Sequence, residues 1–212
     1  MTWVARLSTW RAALPAVLLL AFAVLLAVVE LRWGPVHRLD LRTARSLHRT
    51  AIDDPNQTRW WRWVSDGLSP TVLRVVALVA VIVLWLRGRR RTAVFVAVAV
   101  VGAATLELVT KVIVGRARPV FSDPVAHAAG GSFPSGHAMT SLTVFGVAVI
   151  MAGRRRRETV AVAVLAVAAV GFSRMALGVH YLSDVLGGWL LGTAWLLAVD
   201  WFFNGRTTDG AA

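Results

Sequence analysis

His180 and Asp184 form the pair whose residue types and spacing point most directly to catalysis. They stand four positions apart, so on a helix their side chains share one face. A carboxylate that accepts the proton of one imidazole nitrogen fixes the tautomer and leaves a lone pair on the other nitrogen. The pair therefore predicts a histidine nucleophile that is oriented by an aspartate.

A second histidine, His137, follows Ser135 and Gly136 directly before an apolar block. A glycine at a helix entrance lets backbone N–H groups approach an anion, and the positive end of the helix dipole favours that anion. His137 at such a place is suited to protonate a leaving oxygen. We therefore expect it to act as a general acid.

Three cations accompany the two histidines, namely Lys111, Arg118 and Arg174. They outnumber the one carboxylate, Asp184, and unpaired charges are costly close to hydrocarbon. The missing partner should be an anion. Arginine binds phosphate in a bidentate manner, whereas Lys111, the single lysine of the chain, supplies a mobile point charge. The pattern predicts a phosphoryl group as the ligand.

Long apolar blocks are the elements that must position these residues. Hydrophobic residues make up 57% of the 212 residues, above the value of about 45–50% that is usual for soluble domains. The six blocks are Ala12–Val29, Thr71–Leu86, Thr92–Thr110, Ala138–Ala152, Thr159–Phe172 and Val185–Phe203. A membrane span needs about 20 residues, so the fourth and fifth blocks must extend into polar flanks or cross a thin bilayer. We predict an all-α polytopic membrane protein, with six transmembrane helices in one bundle and a single domain over residues 1–212.

Clusters of arginine indicate the orientation of the spans in the cell membrane. Positive charge is dense in the short connections at residues 87–91 and 154–157. The positive-inside rule places both connections in the cytoplasm. Six spans then put both termini inside, in agreement with Arg6, Arg11 and Arg206. The segments left outside are 30–70, 111–137 and 173–184.

The predicted site residues reach similar depths in this arrangement. At a rise of about 1.5 Å per residue, Lys111 lies about 30 Å above the cytoplasmic side and His137 about 25 Å above it. Ser173 and Asp184 both lie about 24 Å above that side. Since the hydrocarbon core is about 30 Å thick, four helix ends converge near the outer headgroup boundary. We therefore expect the active site on the outer face.

The first outer segment, 30–70, is expected to be a loop that contains an interfacial helix. Trp60, Trp61 and Trp63 alternate there with arginines, a pattern typical of an amphipathic stretch at the membrane surface. An aromatic belt without a catalytic task is the favoured interpretation of these residues.

Several polar residues near the site have simpler interpretations. Arg74 and Arg116 are interpreted as helix-end arginines that extend to lipid headgroups. Glu107, one turn before Lys111, either pairs with that lysine or is protonated, and a structural role is favoured. Gly188 and Gly192 have the spacing of small residues at a helix-packing interface.

Composition and charge argue against other functions. The absence of cysteine excludes disulfides and thiolate metal ligands. His137, His180 and Asp184 could together bind a metal, but three adjacent cations would repel it, and we expect no cofactor. The net charge of +12 is interpreted as topology and lipid contacts rather than nucleic-acid binding. A non-enzymatic anion or lipid transporter is the alternative, but it predicts polar residues spread along the spans.

Three spaced motifs resemble those of the type-2 phosphatidic acid phosphatase superfamily, which includes bacterial acid phosphatases and vanadium haloperoxidases. The motifs are Lys111, six residues and Arg118-Pro119; Pro134-Ser135-Gly136-His137; and Ser173-Arg174, five residues, His180, three residues and Asp184. All three match in order, without gap or substitution. The resemblance covers roughly residues 90–200, and six spans resemble the membrane-bound branch of the family.

The resemblance implies a role for each matched residue. His180 would attack phosphorus and form a phosphohistidine, Asp184 would orient it, and His137 would protonate the leaving group. The phosphoryl oxygens would be held by Lys111, Arg118, Arg174, Ser135 and the amide of Gly136. Supporting positions would be Pro119, Pro134 and Ser173.

The same resemblance implies a lipid phosphate substrate and no metal. The substrates that it offers are undecaprenyl diphosphate, phosphatidic acid and phosphatidylglycerophosphate. A site on the outer face favours polyprenyl diphosphate recycling, because that carrier is left on the outer leaflet. Beyond the substrate, the partners expected are membrane lipids.

Overall fold

Apolar helices dominate the structure, a computed structural model that describes residues 3–205. The helices are α1 (Trp3–Glu30), α2 (Gly34–Asp53), α3 (Pro55–Gly67), α4 (Pro70–Leu86), α5 (Arg90–Val114), α6 (Gly136–Met151), α7 (Arg156–Ala176) and α8 (Leu182–Asp200). A short 3-10 turn, Gly153–Arg155, precedes α7, and a π-helical turn, Trp201–Gly205, follows α8. The expected all-α class is confirmed, because the regular structure in the described part of the chain is entirely helical.

Five segments in residues 3–205 are long and apolar enough to cross a membrane. They are Ala13–Glu30, Pro55–Leu86, Arg90–Val114, Arg156–Ala176 and Leu182–Asn204. The fifth predicted block does extend into its polar flanks, since α7 has 21 residues. The fourth does not, because α6 ends after 16 residues. The protein is thus a multi-pass membrane protein, and a sixth span through α6 stays a prediction.

Capping residues explain where several helices begin and end. The side chain of Asp54 accepts hydrogen bonds from the first free N–H groups of α3, and Pro55 occupies the first turn, where its missing N–H costs nothing. Ser69 and Pro70 start α4 in the same way. Gly115 ends α5 in the left-handed conformation, with φ +57°. The chain therefore leaves the helix directly before the second half of the first motif.

Helix α8 lies at the centre of the bundle and packs against α1, α5 and α6. Small residues allow its close approach to α6. A Cβ at position 188 would lie 2.6 Å from the carbonyl oxygen of Ser135, and one at position 192 would lie 3.3 Å from Met139. The packing role predicted for Gly188 and Gly192 is confirmed, and the first turns of α6 and α8 are held side by side.

The segment 30–70 contains two helices, α2 and α3, where the sequence predicted a loop with one interfacial helix. Both helices pack on α7, and α2 also contacts α8. Trp60 and Trp63 are 61% and 73% exposed, whereas Trp61 packs against Phe172 with ring centroids 4.8 Å apart. The segment therefore covers the ends of the helices that carry the third motif.

Membrane orientation stays a prediction from the arginine pattern. Arg206 lies outside the described residues, as do the side chains of Arg6, Arg11 and Arg154. The connections that are expected in the cytoplasm are short, since only residues 87–89 separate α4 from α5.

Candidate active site

His180 and Asp184 are in contact, as their spacing predicted, but the geometry is that of a helix start. His180 precedes α8, and Asp184 lies in the first turn of that helix. The imidazole Nδ1 is 3.3 Å from Asp184 Oδ2, and the backbone N–H of Tyr181 donates to the same oxygen at 2.8 Å. Both site residues are almost fully buried. The carboxylate thus closes the first turn of α8 and orients the imidazole at once.

The other imidazole nitrogen of His180 faces a guanidinium. Nε2 lies 3.0 Å from Nη1 of Arg118. Because a guanidinium has no acceptor, Nε2 must be the acceptor, and the ring proton is on Nδ1, where Asp184 accepts it. Burial outweighs the hydrogen bond to Asp184 and lowers the pKa of His180 to about 4. The imidazole is therefore neutral near pH 7, with its lone pair on the nitrogen that faces Arg118.

Arg118 is fixed by backbone carbonyls of its own loop and of the loop before α8. Nε and Nη2 donate within the connection between α5 and α6, and Nη1 donates to Val179. The carbonyl acceptors are those of Ala129, Gly130, Gly131 and Val179. With His180 they occupy all the N–H donors of the guanidinium. Burial lowers the pKa of Arg118, but an arginine stays charged in proteins.

Lys111 makes an ion pair with Glu107, one turn before it on α5. Nζ lies 2.8 Å from Oε1, so the pairing that the sequence left open is confirmed. The other carboxylate oxygen binds Nη2 of Arg74 at 2.9 Å, and that nitrogen also donates to Thr140. The interpretation of Arg74 as a free headgroup-seeking residue was wrong, because α4 brings it to Glu107.

The second motif lies at the start of α6, against both α5 and α8. The N–H of Ser135 donates to the carbonyl oxygen of Asp184 at 2.9 Å. The Ser135 hydroxyl is buried and has no hydrogen-bond partner within the described residues. A Cβ at position 136 would lie 2.1 Å from Oε1 of Glu107, so the carboxylate occupies the space that Gly136 leaves.

His137 is half-buried in the first turn of α6. It lies within the electrostatic reach of four site residues, Arg174, His180, Lys111 and Arg118. The structure therefore brings the histidines and cations of all three motifs into one region.

Arg174 approaches this region from α7. Its Nη1 donates to Ser65 on α3 at 2.6 Å, while its Nε is buried without a partner within the described residues. Ser173 is buried and donates to the carbonyl oxygen of Val170 at 2.7 Å, a contact inside α7. Nothing in the sequence pointed to Ser65, which lies 109 positions from its partner.

The two motif prolines lie in different settings. Pro134 is fully buried directly before the second motif serine. Pro119 is half-buried and lines a small cavity with Arg118 and Phe121. Within residues 3–205, no group of three or more side chains that could bind a metal lies together.

Arg116 is the site residue that the sequence misassigned. Its Nη1 donates to Asp184 Oδ1 at 2.5 Å and to Ser183 at 2.7 Å, while Nη2 donates to Asp40 on α2 at 2.8 Å. The ring of Tyr181 covers the guanidinium at 4.4 Å. It is therefore an internal ion-pair residue and not one that extends to headgroups. No local pattern predicted this, since Asp40 lies 76 positions away.

Comparisons with known proteins assign the chain to a family. The family model described as the PAP2 superfamily matches residues 92–208. Phosphatidylglycerophosphatase B of Bacillus subtilis is 38% identical over 95 residues, which cover 41% of this chain and 46% of that protein. Lipid A 1-phosphatase of Rhizobium etli is 34% identical over 102 residues, which cover 44% of this chain and 42% of that protein. The matched part thus spans less than half of the length of either relative.

A solved structure shares the fold over nearly the whole chain. The crystal structure of a transmembrane PAP2-type phosphatidylglycerolphosphate phosphatase from Bacillus subtilis superposes with a TM-score of 0.80 at 24% identity. The superposition covers 93% of this chain and 98% of that one. With the family match over more than half of its length, the chain belongs to the PAP2 superfamily.

Proposed function

We propose that this protein is a membrane-embedded lipid phosphatase, which hydrolyses a phosphate monoester or diphosphate of a lipid through a phosphohistidine at His180. One observation carries the proposal. A neutral imidazole, oriented by Asp184, directs its Nε2 lone pair at a cation that can bind phosphoryl oxygen. A nucleophile adjacent to an electrophile-binding cation is the arrangement that phosphoryl transfer needs.

Substrate binding begins between His180 and Arg118. A phosphoryl group that enters there takes the Nη1 donor for one of its oxygens and presents phosphorus to Nε2. The unpartnered Ser135 hydroxyl and the unpartnered Nε of Arg174 can serve further oxygens. Lys111 is paired with Glu107 and adds a point charge to the site once the phosphate competes with that carboxylate for the ammonium group.

The reaction then proceeds in two displacements. Nε2 of His180 forms a bond to phosphorus while the bond from phosphorus to the leaving oxygen breaks. His137 gives that oxygen a proton, which it takes up once the bound phosphoryl anion offsets the cations around it. The Nδ1 proton stays in the hydrogen bond to Asp184, which stabilises the positive imidazole. Water next attacks phosphorus, His137 takes a proton from it, and the N–P bond breaks to release inorganic phosphate.

A groove beside Lys111 supports a lipid as the substrate. It lies between α4 and α5 and has a volume of about 550 Å³. Alanine, valine and leucine side chains line most of it, and Arg74, Glu107 and Lys111 lie at its charged end. An apolar chain in the groove would hold its phosphate close to the three motifs. The matched relatives are named as phosphatases of a phospholipid and of lipid A.

We also propose the finer properties that the sequence predicts. The enzyme works without a metal, and its site opens to the outer face of the cell membrane, with both termini in the cytoplasm. Its substrate is undecaprenyl diphosphate, phosphatidic acid or phosphatidylglycerophosphate. The outer-face site favours the polyprenyl diphosphate.

The test is phosphate release and covalent trapping with purified protein. Each of the three lipids, labelled with ³²P, is incubated with the enzyme in detergent, and the quenched protein is tested for acid-labile phosphohistidine. We expect His180→Ala to remove the label and to lower turnover by about a thousandfold or more. His127→Ala is the matched control, because His127 is an exposed histidine in the connection that carries Arg118.

Two outcomes would contradict the proposal. Undiminished label on His180→Ala protein would assign the covalent step to another residue. Binding of the lipids without any phosphate release would favour the transporter alternative.

A further inference from the structure

Arg116, Asp40 and Asp184 form a chain of buried charges behind the proposed nucleophile. The side chain of Arg116 is 14% exposed, and those of Asp40 and Asp184 are 2% and 0% exposed. Burial by itself lowers the pKa of Arg116, but the carboxylates of Asp184 and Asp40 outweigh it and raise that pKa above its ordinary value. The guanidinium is therefore charged, and both carboxylates depend on it for compensation.

The two oxygens of Asp184 have different partners. Oδ1 accepts from Arg116, while Oδ2 accepts from the N–H of Tyr181 and faces Nδ1 of His180. A carboxylate bound at both oxygens cannot rotate without breaking one set of contacts. Arg116 thus fixes the plane of the carboxylate that orients His180.

Asp40 couples α2 to this arrangement. One of its oxygens accepts from the backbone N–H of Ser183 at 3.0 Å, and the other accepts from the Ser183 hydroxyl and from Arg116. Asp40 precedes the residues matched by the family model, which begin at position 92. This part of the network therefore comes from the segment before the shared motifs.

We propose that Arg116 and Asp40 are positioning residues, which hold Asp184 in register with His180 and balance the charge that the imidazole faces. This inference rests on the proposed function for its catalytic consequence. Neither residue contacts the region between His180 and Arg118 where the phosphoryl group would enter. Substitutions should therefore change kcat more than KM.

Because the charges of Arg116 and Asp40 act on His180, substitutions that remove them should change its ionisation. A purely structural role would leave that ionisation unchanged. His180 faces Asp184 on α8, Arg118 on the connection after α5, Arg174 on α7 and the imidazole of His137 on α6. Behind Asp184, Arg116 and Asp40 contribute one positive and one negative charge. Removing either one leaves an unbalanced charge, and the two removals have opposite signs.

We expect substitutions of Arg116 and Asp40 to shift the pKa of His180 in opposite directions. Arg116→Gln removes a positive charge, favours the protonated imidazole and moves the acidic limb of kcat/KM to higher pH by about one unit. Asp40→Asn removes a negative charge and moves the limb to lower pH. The double variant restores the balance and returns the limb toward that of the unsubstituted protein. Arg116→Lys keeps the charge and the position of the acidic limb, but kcat falls by about a hundredfold, because a compact ammonium does not reproduce the planar fork that fixes Asp40 and Asp184.

The ionisation is also measured without turnover, by NMR titration of ¹³C-labelled histidine in detergent micelles. The His180 signal is identified by its loss in His180→Ala. Arg45→Gln is the control, because it removes a charge from an exposed position on the same helix as Asp40. It should leave both the titration and the pH profile unchanged.

The outcomes separate this inference from the proposed function. The NMR titration of His180 could shift in opposite directions in Arg116→Gln and Asp40→Asn although the unsubstituted protein releases no phosphate. That result would support the charge coupling and refute the phosphatase activity. If Arg116→Gln and Asp40→Asn release phosphate but shift neither the acidic limb of kcat/KM nor the NMR titration of His180, the charge coupling is refuted. The proposed phosphatase activity then stands. If Arg116→Gln does not fold, the test relies on Asp40→Asn and Arg116→Lys. An Asp40→Asn protein with an unshifted acidic limb and an unshifted His180 titration then overturns the inference.

Discussion

Gly136→Ala is the substitution whose consequence can be worked out most fully from the structure. The added Cβ would lie 2.1 Å from Oε1 of Glu107, whereas ordinary contact begins at about 3.4 Å, so the oxygen must retreat by about 1.3 Å. Its bond to Lys111 is 2.8 Å long, and such bonds extend to about 3.2 Å. The whole carboxyl group must move, because its Cδ and Oε2 would also lie only 2.6 and 2.9 Å from the added Cβ, and its bonds to Lys111 and Arg74 cannot both keep their present geometry.

The protein should still fold, because the displaced group is the end of a flexible side chain and not backbone. Crowding of this kind costs about 1–3 kcal/mol. The displacement of Glu107 disturbs the position of Lys111, and also that of Arg74, which binds the same carboxylate. We expect lower thermal stability in detergent and a fall in activity of about tenfold or more, since Lys111 no longer has a fixed position.

A double-mutant cycle with Glu107→Ala tests this reasoning. Removing the carboxylate also removes the clash, so the stability costs of the two substitutions should not add in Gly136→Ala/Glu107→Ala. Gly67→Ala is the control, since a Cβ there meets nothing within 4 Å. Additive costs, or a Gly136→Ala protein that behaves like Gly67→Ala, would contradict the predicted clash with Glu107.

Three further predictions concern the site. Ser135→Ala should leave thermal stability within about 1 kcal/mol, because the buried hydroxyl has no partner to lose in the described part of the chain, but it should weaken vanadate inhibition about tenfold. Unchanged inhibition would remove Ser135 from the phosphate site. Because burial lowers the pKa of His180 to about 4, the neutral nucleophile persists as pH falls below 6.5, and kcat/KM should decline only near pH 4; a decline centred near pH 6.5 would contradict this. EDTA should leave phosphate release intact, and loss of activity that added divalent metal restores would favour a metal mechanism.

Membrane orientation can be tested cleanly, because the chain contains no cysteine. A membrane-impermeant maleimide applied to intact cells should label Arg45→Cys and not Arg155→Cys. The opposite pattern would invert the topology and move the proposed site to the cytoplasmic face.

Local sequence was sufficient for the parts of the site that depend on short-range geometry. The spacing of His180 and Asp184 predicted their contact, and the contact survives although His180 lies just outside the helix. Glu107 pairs with Lys111 for the same reason, because residues four apart on a helix are neighbours. The all-helical class followed from the length and hydropathy of the blocks, and five of the expected six spans meet the criteria for crossing a membrane within residues 3–205.

Signals for the helices of the outer segment were present but weaker. Asp54 before Pro55 is a strong start for a helix, and α3 begins there. The segment nevertheless resembled a loop, because its helices are polar and amphipathic and lack the long apolar run that identified the spans.

Sequence by itself determined the family motifs, the helical class and the contacts between residues one turn apart, because backbone geometry sets those distances in any helix. Only the tertiary structure decided which distant charges meet, since Arg116 finds Asp40 and Asp184 from 76 and 68 positions away. Such ion pairs depend on how α2, α5 and α8 pack, and on the burial that makes an unpaired charge too costly to leave.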